Sequence, residues 1–322
     1  MRFLWRVVLS CCWMLMILTV FGRLLSPRNA REIELHIPDI SFNQSMGVKW
    51  QMVIDQRNYI LNAACKNKTY WGSTHVSKSL LEHIVVWDRH KTLFCQTSDV
   101  GDNEWKKLIV GRSGAFSDVN DQEKDNLRRL SSMNSKEIKH RLENYFKFLI
   151  VRDPFERLIS TFEDKFLFNK PSEPWYKYII GPAIIRKYRK GLPYLNDIGL
   201  LFDEFVRYLG DLEGQKSIDW VFGHHIINWA PYVELCIPCD IHYDFVGHLE
   251  TLELDAPHIL SRAGIAQQVR YPTISPGILL YNKTKVQRYF SGISKWDIRS
   301  LYARYQRDFE SFGYPAPEFL FN

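Results

Sequence analysis

The sequence predicts an α/β fold in which a parallel β-sheet is covered on both faces by helices. Three observations point there. Phe148, Leu149, Ile150 and Val151 form a continuous apolar run, as a strand buried on both faces requires. The run breaks at Arg152 and passes into a stretch where Phe155, Leu158, Ile159, Phe162 and Phe166 recur at helical spacing. Two further strand-like runs, Ile84 to Trp87 and Thr92 to Cys95, are followed by a helical pattern from Glu104 to Val110. Strands that feed helices in this way build parallel sheets, with ligands at the C-terminal strand ends.

Taken in order, Arg2 and Arg6 precede an apolar stretch from Val7 to Gly22 that Arg23 closes. This predicts a cytosolic tail over residues 1–6 and a signal-anchor helix over 7–25, with the rest of the chain luminal. A cleaved signal peptide is the competing reading, but no small-x-small cleavage site follows Gly22. Residues 26–50 carry proline and asparagine with few periodic apolar positions, which suits a stem, and 51–322 form one domain. Within it Gln51 to Cys65 reads as a helix. Ile84 to Trp87 and Thr92 to Cys95 are separated by the Asp88-Arg89-His90-Lys91 turn. Ser135 to Tyr145 is helical and leads into the strand at Phe148, and Asp203 to Leu209 and Trp296 to Phe309 are further helices. Asn169 to Pro193 is rich in Tyr, Lys, Arg, Pro and Gly without clear periodicity, a mixture that would suit a glycan groove.

The junction after the Phe148 strand carries the chemistry. Asp153 stands where an N-cap belongs, Pro154 at the first helical position and Glu156 three residues after the cap, the pattern of a capping box. Arg152 is thereby expected beside free backbone N–H groups and the positive end of a helix dipole, a natural seat for phosphate. Arg157 and Ser160, three apart, would share a helix face. The competing reading is a solvated face on which Arg152 and Arg157 merely pair with Asp153, Glu156 or Asp164.

Composition sets the bounds. The chain has 322 residues, of which 46% are hydrophobic and 14% aromatic, and can bury a large core. Net charge is +6, with basic clusters at Arg128 and Arg129, Lys139 to Arg141, and Arg186 to Lys190. Such a surface fits polyanions. Nucleic acid is set aside because the anchor and the Asn-x-Ser/Thr sequons at Asn43, Asn67 and Asn282 place the domain in a lumen. Cys11 and Cys12 lie in the anchor; Cys65, Cys95, Cys236 and Cys239 form an even set that favours disulfides, with the pairing open. A zinc site on Cys236 and Cys239 lacks a second Cys-x-x-Cys, and His224, His225 and His242 lack finger-like spacing.

Four blocks in order resemble one family. WDRHKTLFC with the following WKKL (Trp87 to Leu108), RDPFERLIS (Arg152 to Ser160), LCIPCDIHYDFVGHLETLELDA (Leu235 to Ala256) and LYARYQRDFESFGYPAP (Leu301 to Pro317) are similar to the Golgi carbohydrate sulfotransferases of chondroitin 4-O, dermatan 4-O and HNK-1 type, the chondroitin 4-O members most of all. The resemblance runs from about Gln56 to Leu320. It implies a three-layer, P-loop-like sulfotransferase fold over 51–322 with a central parallel sheet. It also implies transfer of a sulfuryl group from 3′-phosphoadenylyl sulfate (PAPS), with PAP as product and no metal, to a glycan acceptor. Commonly that acceptor is the 4-hydroxyl of N-acetylgalactosamine in chondroitin or dermatan. A single-pass type II Golgi membrane protein is implied as well.

By the same resemblance the 3′-phosphate is held by the block Arg152, Asp153, Pro154, Phe155, Glu156, Arg157, Leu158, Ile159 and Ser160, with Arg152 and Ser160 in contact. The 5′ end is held by the loop Ser98, Asp99, Val100, Gly101, Asp102, Asn103 and Glu104, where Gly101 permits close backbone approach and Lys106 completes a Trp-Lys pair with Trp105. Two departures stand out. The family loop begins Pro-Lys, whereas here Asp99 replaces the lysine; one unit charge at about 4 Å is worth roughly 4 kcal/mol at an effective dielectric of 20. The family has His-Trp before its Cys-x-x-Cys, whereas this chain has Asn228-Trp229, leaving His225, or His224 beside it, as the catalytic base. His248, where the family prefers lysine, is a further candidate by position. An active enzyme and a member that keeps its binding sites but has lost turnover both follow. A P-loop kinase cradle and an Asp-x-Asp metal motif are both missing from the sequence.

Overall fold

The computed structural model describes residues 46–66, 77–98, 102–110, 127–167, 174–189, 199–267, 270–271 and 282–321. The predicted tail, anchor and most of the stem lie outside them. Among the described residues no helix is long and apolar enough to cross a membrane.

Four strands form one sheet in the order β1 (Ile84–Trp87), β2 (Thr92–Cys95), β3 (Phe146–Val151) and β4 (Phe245–His248). β2, β3 and β4 run parallel, with Cys95 opposite Leu149 and Val151 opposite His248. β1 is antiparallel to β2, which corrects the expectation of an all-parallel sheet. Only Asp88 to Lys91 separates the two strands, and a link that short can return the chain only as a hairpin, since a parallel crossover needs a dozen residues or more. Phe148 to Val151 are at most 1% exposed, so both faces of β3 are covered.

The helices follow the sequence periodicity: α1 (Met46–Lys66), α2 (Asp102–Val110), α3 (Ser135–Asn144), α4 (Pro154–Lys165), α5 (Gly181–Tyr188), α6 (Phe202–Gly210), α7 (Leu212–Phe222), α8 (Leu252–Arg262), α9 (Lys283–Phe290) and α10 (Lys295–Phe312). α3 begins with a complete capping box between Asn134 and Glu137. α10 stops where Gly313 takes φ 73°, a left-handed cap that glycine adopts without a Cβ penalty. The stretch expected to lack periodicity contains α5, preceded by a π turn over Tyr176–Ile180.

Two buried clusters divide the core. One joins α1, the sheet, Trp105 and α8; the other joins α4, α5, α6 and α10 around Trp229 and Phe205. Trp105, fully buried, sits 5.0 Å from Phe148 and 4.8 Å from Tyr271 by ring centroids, fixing α2 against the strands. The open cysteine pairing resolves as Cys65–Cys239 and Cys95–Cys236. The two cysteines of Cys236-Ile237-Pro238-Cys239 therefore diverge, one to the end of α1 and the other to the end of β2. Each link spans more than a hundred residues, so each strongly restricts the unfolded chain.

Candidate active site

The three parallel strands end at one edge of the sheet, β2 at Cys95, β3 at Val151 and β4 at His248. Thr97 Oγ1 donates to Ile150 O at 3.4 Å and ties the segment after β2 to β3. Adjacent strands lie about 4.8 Å apart, so the segment after β2 and the Arg152 elbow are neighbours.

At the elbow Arg152 is 8% exposed and its Nε donates to Glu156 Oε2 at 3.3 Å. The backbone amides expected to be free are already engaged. Arg152 N–H donates to Tyr232 Oη at 3.1 Å, Asp153 N–H to Glu250 Oε1 at 3.0 Å, and Glu156 N–H to Asp153 Oδ1 at 2.9 Å. Asp153 thus caps α4 as expected, but the reciprocal half of the capping box is absent. Glu156 turns instead to Arg152 and to Asn282 N–H, 2.9 Å away. A buried carboxylate beside a guanidinium gains more from that charge than from a neutral amide. What the elbow offers is therefore a guanidinium held in place by Glu156, rather than a ring of free amides.

Asp153, Glu156 and Glu250 surround this arginine, and burial raises two of them. Desolvation pushes Asp153 up to about 7, opposed by the Glu156 amide and reinforced by the charges of Glu250 and Glu156. Burial likewise raises Glu250, against the hydrogen bonds from Asp153 N–H and Tyr314 Oη. A carboxyl raised in the folded state favours folding most fully below its unfolded value near 4, and loses that contribution as pH rises through its folded value. Wild type should accordingly lose stability between about pH 4 and 7 as Asp153 ionises. Asp153→Asn, which keeps an oxygen for the cap, should flatten that part of the profile in thermal denaturation. An identical slope in the variant would show that Asp153 is ionised throughout.

Glu156 and Ser160, four apart, share one face of α4, Arg152 precedes the helix and reaches Glu156, and Ser160 is half-buried. Arg157 does not join Ser160 as expected. It is 0% exposed, stacks its guanidinium 4.1 Å from the Tyr232 ring centroid, and donates through Nη2 to the carbonyls of Trp229 and Ala230. Its role is to hold the 229–232 segment. Phe155, Leu158 and Ile159 are likewise core side chains, and Pro154 is buried at the first helical turn.

Of the predicted donor loop, Ser98 and Glu104 are half-buried. Asp99, Val100 and Gly101 lie outside the described residues, as do the side chains of Asp102 and Asn103. Lys106 is half-buried on α2 beside the anchored Trp105.

The segment from His225 to Tyr232 is laid along α4 by a ladder of contacts. Besides Tyr232 at Arg152 and Ala230 at Arg157, Thr161 Oγ1 donates to Asn228 O at 2.9 Å. His225 is buried with Nδ1 3.1 Å from Tyr176 Oη, and Asn228 Nδ2 donates to the same hydroxyl at 2.6 Å. The Tyr176 hydroxyl accepts from Asn228 through one lone pair. Its second lone pair can accept from Nδ1–H as well, and with the ring proton on Nδ1 the other nitrogen, Nε2, is left as the acceptor that a base needs. His224 is exposed, its ring 4.1 Å from that of His225. His248 is buried and stacked on Tyr314 at 4.9 Å; burial, with Arg57 nearby, holds it well below the usual imidazole range, so it stays neutral.

Residue roles that sequence reasoning missed come from the C-terminal block. Asp308 accepts from Tyr232 N–H and Val233 N–H at 2.8 and 2.9 Å, Tyr305 Oη donates to Trp229 O, and Tyr314 Oη donates to Glu250 at 3.0 Å. The resemblance marks this block, but nothing in its spacing says what it grips. All three basic clusters are partly neutralised internally: Arg128 and Arg141 both pair with Asp88 at 2.8 Å, and Arg189 with Glu204 at 2.6 Å. Of the sequons, Asn282 is exposed at the N-cap of α9, while Asn43 and Asn67 lie outside the described residues.

Comparison with known proteins adds a consistent picture. The model described as Sulfotransferase family matches residues 82–315. The chain is 55% identical to carbohydrate sulfotransferase 10 of Danio rerio over 286 residues, 85% of this chain and 78% of that protein. Identity to carbohydrate sulfotransferase 10 of Homo sapiens is 54%, covering 83% and 75% respectively. Carbohydrate sulfotransferase 14 of Danio rerio is 34% identical, covering 90% and 78%. No solved structure matches. These names do not specify chondroitin 4-O transfer, so the expectation of closest similarity to that type is corrected to the level of carbohydrate sulfotransferases.

Proposed function

Because the chain belongs to the sulfotransferase family, we propose that it is a carbohydrate sulfotransferase that moves the sulfuryl group of PAPS to a sugar hydroxyl. The observation that carries this reading is the Arg152 elbow. A single buried guanidinium, held by Glu156, stands at the common end of three parallel strands next to the segment that begins the predicted donor loop. Arg152 and Ser160 would hold the 3′-phosphate, and the loop from Ser98 to Glu104 with Lys106 the 5′ end. The acceptor oxygen forms the new bond to sulfur, the bond from sulfur to the 5′-phosphate oxygen breaks, and PAP leaves with that oxygen. The hydroxyl proton passes to a base, for which we propose His225. Positioning and charge do most of the work in such a transfer.

Chondroitin or dermatan, through the 4-hydroxyl of N-acetylgalactosamine, is the acceptor that the resemblance suggests. The higher identity to proteins named carbohydrate sulfotransferase 10 than to carbohydrate sulfotransferase 14 favours instead an acceptor shared with the former group. We further propose that the enzyme works in the Golgi lumen, anchored by residues 7–25.

A second reading rests on Asp99. A carboxylate where the family carries lysine opposes a phosphosulfate, and a protein of this kind could bind nucleotide and glycan without turnover. One assay separates the two: transfer of labelled sulfate from PAPS, on a glycan panel that includes desulfated chondroitin, with the human relative run in parallel. Robust wild-type transfer supports the active enzyme. Trace wild-type transfer that rises at least about tenfold in Asp99→Lys identifies the aspartate as the lesion. No PAP binding at all would remove both readings.

A further inference from the structure

Trp175, Tyr178 and Ile179 present three large apolar side chains to solvent within five residues, at 42, 64 and 38% exposure. They ride on the π turn that precedes α5. Pro182 has no N–H for the carbonyl of Tyr178 four residues back, and its ring would clash there, so the helix widens. Gly181 N–H closes the turn on Tyr176 O, and a Cβ at Gly181 would stand 3.0 Å from that oxygen. Glycine and proline in sequence thus produce a local geometry that is rare in helices and often found at functional sites.

The turn's buried member is Tyr176, whose hydroxyl meets His225 and Asn228. Its exposed neighbour Trp175 lies parallel to the His225 ring, 5.6 Å between centroids and 18° between planes. Lys177 is exposed, its Nζ 5.3 Å from the Tyr178 ring centroid. Two flat exposed rings, a cation and the candidate base are therefore assembled by one helical turn.

We propose that the Trp175–Ile179 turn is the acceptor subsite, where a pyranose ring of an anionic glycan packs its C–H face on Trp175 and Tyr178 with its acidic group toward Lys177. Sugars offer apolar C–H faces edged by hydroxyls, which aromatic rings with polar tips match. The cation selects an anionic chain over a lipid surface of neutral headgroups or a second copy of this chain. The inference rests on the sulfuryl-transfer reading, whose donor elbow lies at the other end of α4, about 18 Å away along its 12 residues.

The test measures acceptor and donor separately. Trp175→Ala and Tyr178→Ala should each raise the KM for the best acceptor of the panel roughly tenfold, with kcat changed less than about twofold and PAP affinity unaltered. Trp175→Phe, which keeps a ring, should retain most of the affinity. Unchanged KM in both alanine variants overturns the subsite and leaves the donor reading standing. Direct binding to an array of uronic-acid-containing and neutral oligosaccharides, without donor, is independent of turnover. Wild type should bind acidic members and Trp175→Ala should lose them. Equal binding by the two proteins, or no binding by wild type to any member, overturns the subsite. Loss of array binding in the variant of a protein that binds no PAP would instead sink the sulfuryl-transfer reading and keep the glycan platform.

Discussion

Arg152→Ala is expected to weaken PAP binding at least about a hundredfold in calorimetry on the purified protein. Two charge-assisted hydrogen bonds from one guanidinium contribute about 3 kcal/mol or more, and a factor of ten corresponds to about 1.4 kcal/mol. Arg157, five positions on, does not take its place, being turned inward to Trp229, Ala230 and Tyr232. The substitution also strands Glu156, which is 3% exposed and would retain only Asn282 N–H. Removing one partner of a buried pair costs about 3–5 kcal/mol, so the single variant is expected to be less stable as well. The double variant Arg152→Ala, Glu156→Gln relieves the stranded charge and isolates the binding effect. PAP affinity equal to wild type in that folded double variant would place the 3′-phosphate elsewhere.

Arg57→Ala should lose about 3–5 kcal/mol of stability in chemical denaturation. Arg57, on α1, reaches both carboxylate oxygens of Asp255 at 3.1 and 3.0 Å and Thr251 Oγ1 at 2.8 Å. Asp255 is fully buried and also receives His248 N–H at 3.0 Å and Thr251 Oγ1 at 2.8 Å. Without the guanidinium the carboxylate keeps its desolvation cost and loses its counter-charge. Because the network holds the turn that carries Glu250, and Glu250 holds Asp153 N–H, PAP affinity should fall with stability. Arg57→Met combined with Asp255→Leu should recover much of the stability, since two matched apolar groups strand no charge. A loss below about 1 kcal/mol in Arg57→Ala would mean that water reaches the pair and screens it.

Much of this molecule was legible in its sequence where the determinants are local. The four-residue apolar runs at Ile84, Thr92 and Phe148, the helical spacing of Phe155 to Phe166, and Asp153 and Pro154 at a helix start all form as read, because each depends on residues one to four positions apart. The Arg152 elbow belongs to this class, since a strand end followed by a capped helix fixes its place whatever packs around it. The antiparallel direction of β1 was also within reach, because the length of the Asp88 to Lys91 link dictates it.

Only tertiary structure decided which groups these local elements would meet. Glu156 leaves its capping box because Asn282, 126 residues on, offers an N–H while Arg152 offers charge. Arg157 turns from a surface face into the core because Tyr232 and the carbonyls of Trp229 and Ala230, more than 70 residues distant, receive it. Cys95 finds Cys236, and Asp308 finds the Tyr232 and Val233 amides, through chain closures of the same kind. A helix or strand is selected by torsional preference and side-chain periodicity, which a short window contains. The partner of a buried charge is selected by the cost of leaving water, and that is settled only once the whole domain has closed around it.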